Sequence, residues 1–361
     1  MGQTHGSLTL RAHCAYGAAR KEESLLKRWL KIALKSLTVL IALVLVAGIV
    51  YEQIGRRRDR ARFPQIGRSV DIGGRTLNIF CSGAGAPPVI FESGGPGPGL
   101  EWEAFQPEAA KFTQACWYDR AAEGWSDPGP FPRTSNAIAK DLHELLKRAG
   151  VPAPYVFAGA SFGGLNSRVY GGLYPNEVTG MVLIDSAHED ELRRAPKFLL
   201  GRTAPRFLWH PLQMAFEAAA FVGLLRLTQP SPTRKDPSQM TREEIIEALR
   251  QRPKSFVGNV SAGIVLPKSF AEGSSVTRIG DFPLIVLTAG QSLDFGDAEL
   301  NREAAAYQHV WIYEIQPKLV GLSTRGRQIV VPNANHGSIP QELIISSIRE
   351  VVTEVRGGAT H

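Results

Sequence analysis

Gly159-Ala160-Ser161-Phe162-Gly163-Gly164 stands between an apolar run, PYVFAGAS, and a segment of helical spacing, LNSRVYGGLYP. At a strand-to-helix turn, glycines on both sides let the backbone bend tightly. The serine hydroxyl then projects beyond the strand end as a nucleophile. Phe162 presents its backbone N–H at a helix N-terminus, where developing negative charge is favoured. A serine hydroxyl is weak and needs a base. Of the eight histidines, those at positions 5, 13 and 361 lie in tails, and His143 and His309 fall within helical runs. His336, in VVPNANHGSIP, follows the last strand-like run and precedes the last helix, so it can reach the serine over the same sheet edge. The carboxylate that would orient this base stays open. Asp294 and Asp297 follow PLIVLTAG, Asp185 closes VLID, and Glu189 lies just beyond it. Asp294 is the first choice in the chain order Ser…Asp…His; Asp185, held at a strand end, is the alternative. A second N–H for the oxyanion is expected from Ser93-Gly94-Gly95-Pro96-Gly97, with Gly95 the best placed. The chemistry is acyl transfer to water, which needs no metal or organic cofactor. No His/Cys cluster has metal-ligand spacing.

The elements that must position these groups alternate in type. SVDIGG and RTLNIFC suit a hairpin, and PPVIFES, CWYDR, PYVFAGAS, VTGMVLIDS, PLIVLTAG and RQIVVPN suit six further strands. Helical runs separate most of them, including TSNAIAKDLHELLKRAG and PQELIISSIREVVTEVR. Strands alternating with helices predict an α/β domain, with a mostly parallel sheet covered on both faces. The rhythm breaks after the sixth strand. Residues 189–278 contain FLWHPLQMAFEAAAFVGLLRL and TREEIIEALRQR, both helix-like, as a lid insertion would. AELNREAAAYQHVWIYEIQPKLV reads as one helix interrupted at Pro317.

The formal charge of +7 could suggest nucleic acid. Residues 1–62 hold twelve Lys/Arg against Glu22, Glu23, Glu52 and Asp59, which leaves about −1 for the remainder. A basic stripe interleaved with aromatics is missing from the main domain, so nucleic-acid binding is not expected. The basic residues flank an uncharged run from Ser36 to Tyr51. Extended back to Leu30 it spans about 33 Å at 1.5 Å per residue, enough for a bilayer with Lys31 and Lys35 snorkelling. The expected order is a basic cytoplasmic tail (1–28), a single membrane-spanning helix (29–51) and a polar linker (52–64). The core (65–188 and 279–361) would surround the lid (189–278). Slightly more Lys/Arg precede the apolar run than follow it, which puts the main domain outside the cytoplasm.

From about residue 69 to 356 the chain resembles the α/β-hydrolase superfamily. The resemblance rests on Gly159–Gly163, on ESGGPG at 92–97, on DRAAEGWSDPG at 119–129 and on His336. The first loop is similar to the HGGPG loop of proline iminopeptidases, with Ser93 in place of the usual His. The second follows D-R-x-G-x-G-x-S, with Ala122 at one glycine position. The resemblance implies an α/β-hydrolase fold with an eight-stranded sheet and a helical lid. It also implies a reaction class: a serine hydrolase of small or moderately apolar esters. The alternatives are an aminopeptidase or amidase of proline iminopeptidase type, or a non-catalytic membrane-anchored binding module. In a sheet of this topology Cys81 and Cys116 fall on adjacent antiparallel strands, so a disulfide between them is expected. It would require an oxidising compartment.

Overall fold

The computed structural model describes residues 6–199, 205–228 and 236–358. Its sheet has eight strands: β1 (Arg68–Asp71), β2 (Thr76–Ser82), β3 (Val89–Glu92), β4 (Ala115–Tyr118), β5 (Tyr155–Ala160), β6 (Val178–Ile184), β7 (Gly280–Ala289) and β8 (Ser323–Val331). Their spatial order is β1-β2-β4-β3-β5-β6-β7-β8. The β1–β2 and β2–β4 pairs are antiparallel and the rest are parallel. In the β2–β4 register Cys81 lies directly opposite Cys116, and the two are joined by a disulfide.

The helices begin with α1 (Gly6–Arg62), followed by α2 (Gln106–Ala110), α3 (Ser135–Ala149) and α4 (Phe162–Leu173). After β6 comes the insertion, α5 (Glu191–Arg194), α6 (Trp209–Phe221), α7 (Leu224–Thr228), α8 (Arg242–Arg250), α9 (Pro253–Ile264) and α10 (Leu266–Ser274). Then follow α11 (Ala298–Val310), α12 (Gln316–Val320) and α13 (Gln341–Gly358). The parallel strands inside the sheet are buried on both faces, and their side chains alternate between two cores, whereas β8 at the edge is largely exposed or half-buried. Phe157, Met181 and Leu183 pack with Leu142, Leu145 and Leu165 of α3 and α4. Val156, Ala158 and Val182 pack with Ile344, Ile348 and Val352 of α13 on the other side. Because β3 to β8 run parallel, they all end on one edge, which carries Ser161 after β5 and Asp185 after β6.

Three segments depart from the sequence reading. Residues 52–62 are not a linker and 6–28 are not an irregular tail, because α1 is one helix of 57 residues. Only its part from Leu25 is described at side-chain level, and that part is long and apolar enough to cross a membrane. Its last turns are fixed by partners distant in sequence. Glu52, 1% exposed, pairs with Arg56 and with Arg226 of α7, both at 2.8 Å. Arg226 also reaches Asp59 at 2.9 Å. A Cβ on Gly55 would fall 2.2 Å from Arg226 Nε, and one on Gly48 would fall 2.2 Å from the Val222 carbonyl. The insertion contains α9 and α10, which composition alone does not reveal. The helix after β7 is not broken at Pro317. It widens into a π-helical turn at Trp311–Ile315, and Pro317 opens the next helical segment, where a missing N–H is harmless.

Candidate active site

Ser161 sits between the end of β5 and the start of α4 with φ 51 and ψ −122. For a non-glycine residue this is a strained backbone, costing on the order of 1–3 kcal/mol. It is pinned from both sides: Ser161 N–H donates to the Ile184 carbonyl and Ala187 N–H donates to the Ser161 carbonyl, each at 2.9 Å. The surrounding glycines are there for clearance. A Cβ on Gly163 would lie 2.2 Å from the Glu92 carbonyl, and one on Gly164 would lie 2.2 Å from Ser186 Oγ. The turn is therefore wedged between the ends of β3 and β6.

His336 lies in the loop between β8 and α13. Its Nδ1 is 2.6 Å from Asp185 Oδ2. Asp185 follows β6 at φ 43 and is 3% exposed. Its other oxygen, Oδ1, accepts from Ala289 N–H at 3.0 Å and from Trp311 Nε1 at 2.7 Å. The hydrogen bond to Asp185 raises the His336 pKa above its ordinary value, against the opposing effect of burial. Ser161, Asp185 and His336 line one cavity of about 280 Å³. Its wall includes Glu191, whose carboxyl burial pushes up to about 7. It also includes Tyr307, whose buried hydroxyl has no hydrogen-bond partner among the described residues.

The expectation for Asp294 is corrected here. Its carboxylate is exposed and holds a local turn, accepting from Gly296 N–H at 2.9 Å and Asn301 Nδ2 at 2.7 Å. Asp297 caps α11 by accepting from Glu299 and Leu300 N–H. Glu189 is ion-paired with Arg168. None of the three bonds His336; Asp185, the alternative, does.

The loop after β3 is held by Arg120, to which sequence reasoning gave no role. Its Nη1 donates to the Ser93 carbonyl at 2.8 Å and to Glu92 Oε1 at 3.2 Å. Its Nη2 donates to the Gly94 carbonyl at 2.7 Å and to that of Gly95. A trans peptide points its C=O and N–H in opposite directions. With the Gly94 carbonyl on Arg120, the Gly95 N–H is therefore turned away from the guanidinium. Gly94 approaches the serine closely, since its Cβ would lie 3.5 Å from Ser161 Cβ. Glu92, 1% exposed, is further bonded by Tyr118 and Asn166, and burial raises its pKa. Ala122, the departure from the glycine pattern, stands at φ 73. That is the left-handed region, which explains why glycine is usual there.

A sequence model described as the alpha/beta hydrolase fold matches residues 87–229. The chain has the α/β-hydrolase fold. An esterase from Thermogutta terrifontis superposes with a TM-score of 0.53 at 18% identity, covering 81% of this chain and 99% of the esterase. A Vigna radiata epoxide hydrolase mutant superposes with a TM-score of 0.56 at 16% identity, over 80% and 98%. At these identities the likeness shows the fold alone. The uncharacterized protein YbdG of Bacillus subtilis is 25% identical over 158 residues, 43% of this chain and 49% of that protein. The chain spans about half the length of the first curated relatives it matches.

Proposed function

We propose that this α/β-hydrolase is a serine hydrolase that cleaves small or moderately apolar carboxylic esters through an acyl-enzyme. The observation that carries the reading is the buried Asp185 carboxylate bonded to His336 Nδ1, in the cavity lined by Ser161. With Nδ1–H donated to Asp185, the lone pair of His336 lies on Nε2 and can accept the serine proton. Ser161 Oγ attacks the carbonyl carbon, and Phe162 and Gly95 N–H receive the oxyanion. His336 then protonates the leaving alcohol. Water, deprotonated by the same histidine, releases the acid. A serine at the turn supports acyl transfer over epoxide opening, which in this fold uses an aspartate nucleophile.

In this reading the insertion from α5 to α10 is a lid and α1 is a single membrane span. The disulfide between Cys81 and Cys116, together with the larger count of Lys/Arg before the span, supports an extracytoplasmic domain. Fluorophosphonate labelling of the full chain tests the catalytic reading. Labelling should be complete for wild type and lost in Ser161→Ala. An unlabelled wild type, or equal labelling of the variant, would defeat it in favour of a non-catalytic binding module.

A further inference from the structure

Gly95 and Phe162 also line a second cavity, of about 230 Å³, roofed by α9. Its wall is mostly hydrocarbon, with Ala121, Ile138, Ala262 and Leu266 among the lining residues. One carboxylate stands in it: Glu123, 4% exposed. Glu123 makes no side-chain hydrogen bond among the described residues, and its Oε2 is buried without a partner. A buried carboxylate without a donor is unfavourable, because it has lost the hydrogen bonds of water and gained none in return.

Arg120 and Lys254 act on Glu123 through space, but no cation donates a hydrogen bond to it among the described residues. Arg120 is committed to Glu92 and the three loop carbonyls. Arg133 lines the same cavity and donates to Asp141 at 2.6 Å, a carboxylate that it shares with Arg75. Lys254 Nζ donates to the Ser126 carbonyl at 2.7 Å.

We infer that this cavity is a substrate subsite for a compact hydrocarbon group bearing a protonated amine, with the Glu123 carboxylate as its counter-charge. The inference rests on the serine-hydrolase reading for the position of the scissile carbonyl, beside Gly95 and Phe162. An ionised carboxylate only accepts hydrogen bonds, so the missing partner must donate. An ammonium is the donor that also answers the charge. The apolar part of the wall accommodates the carbon skeleton. Burial pushes the Glu123 carboxyl up to about 7, as fits a group whose partner arrives with the ligand. Glu123 lies in the loop after β4, within the DRAAEGWSDPG segment, so the subsite is built by the core and only closed by the insertion.

The test compares two p-nitrophenyl esters that differ only in the α-ammonium, L-leucine and 4-methylpentanoate, on the full chain in detergent. With each kcat/KM divided by that ester's own rate of hydroxide hydrolysis, wild type should prefer the leucine ester by tenfold or more. Glu123→Gln should bring the ratio to within threefold while hydrolysing the methylpentanoate ester at near wild-type rate. A wild-type ratio below threefold, or an undiminished ratio in Glu123→Gln, overturns the subsite.

A second arm reads binding without turnover, as the Tm shift with n-pentylammonium against n-pentanol. A shift with the ammonium alone, lost in Glu123→Gln, supports the subsite. Equal shifts with pentanol, or none with either, overturn it. If neither ester is hydrolysed, the hydrolase reading fails separately, and the binding arm still decides the subsite. Glu123→Gln removes a buried charge and keeps the shape, so its Tm without ligand should equal or exceed wild type. Should it fail to fold, Glu123→Leu serves in both arms.

Discussion

Asp185→Asn should disable the histidine without disturbing the fold, and the reason lies in a count of hydrogen-bond donors. Asp185 faces three of them: Ala289 N–H and Trp311 Nε1–H on one oxygen, and His336 Nδ1–H on the other. Asparagine has one acceptor oxygen and one NH2. Turning the oxygen toward Ala289 and Trp311 keeps two bonds, whereas turning it toward His336 sets the NH2 against two fixed donors. The amide therefore orients with its NH2 toward His336. Nδ1 must then accept, the ring proton moves to Nε2, and the base has no lone pair for Ser161. A base held in the wrong tautomer costs about 10³–10⁴-fold in kcat, or roughly 4–5.5 kcal/mol of transition-state stabilisation. Asparagine also tolerates the positive φ of 43, so Tm should change little. The assay is kcat on p-nitrophenyl esters, with fluorophosphonate labelling rate as a second readout. Asp294→Asn, at an exposed turn, should stay within twofold. Asp185→Asn within tenfold of wild type, or Asp294→Asn losing a hundredfold, would refute the reasoning.

Other outcomes follow from the same geometry. The Asp185 hydrogen bond raises the pKa of His336, and the neutral ring is the base, so kcat/KM should rise with pH to a half-maximum above 6.5. Glu191 titrates in the same range, so the Glu191→Gln profile separates the two; a half-maximum at or below 6.5 in that variant counts against the pairing. The effect on stability has the opposite sense. The folded ring holds its proton more tightly than the unfolded one, so this contribution is full below about 6.5 and is lost as pH rises through the folded pKa. Arg120→Lys cannot hold Glu92 and three carbonyls at once; we expect kcat to fall by about 10–100-fold with a smaller change in KM, as for a misplaced oxyanion donor. An unchanged kcat would show that the loop needs no clamp. Ala122→Gly relieves a left-handed backbone worth roughly 1–2 kcal/mol, offset by unfolded-state entropy of about 0.4–1 kcal/mol. Chemical denaturation should therefore show a gain of about 0.5–1 kcal/mol; a loss would mean that the close approach of Ala122 to Gly258 matters more. Replacing Cys81 and Cys116 by alanine opens a crosslink spanning 35 residues, and the chain-entropy model gives a loss of about 4 kcal/mol. A loss below about 1 kcal/mol would contradict it.

The parts of the proposed site legible in the sequence are those determined locally. Ser161 announces itself because a strand, two flanking glycines and a helix are contiguous in the chain. His336 is found by its place between the last strand and the last helix. The choice between Asp185 and Asp294 could not be made that way, since both follow strands that end on one edge. What separates them is the donor set around Asp185, supplied by Ala289 and by Trp311 from a π-helical turn that a helical periodicity does not reveal. The spacing DFGD at 294–297 carried a signal for the other answer, because Asp two residues before Gly is a common local turn. Arg120 was visible as part of a pattern, but its work depends on carbonyls 25–27 residues upstream. Residues 52–62 read as a linker because RRRDRAR is polar throughout. The Arg226 that fixes that stretch lies more than 160 residues away.

That ion cluster has a mechanical meaning. Glu52, Gly55 and Asp59 form one half of a joint and Arg226 the other, so the last turns of α1 and the α6–α7 hairpin move as one lever. Asp59 and Phe63 also meet Arg252, just before α9. A chain shortened to begin at residue 63 would not be the same enzyme minus a tether. It would lose the acidic half of the joint, strand Arg226, and free α9, the roof of the cavity lined by Gly95 and Phe162, from its hinge post. Soluble forms that keep their native kinetics should retain the helix from about Gly48. The end of α1 is thus the post against which α9 is held over the cavity lined by Gly95 and Phe162.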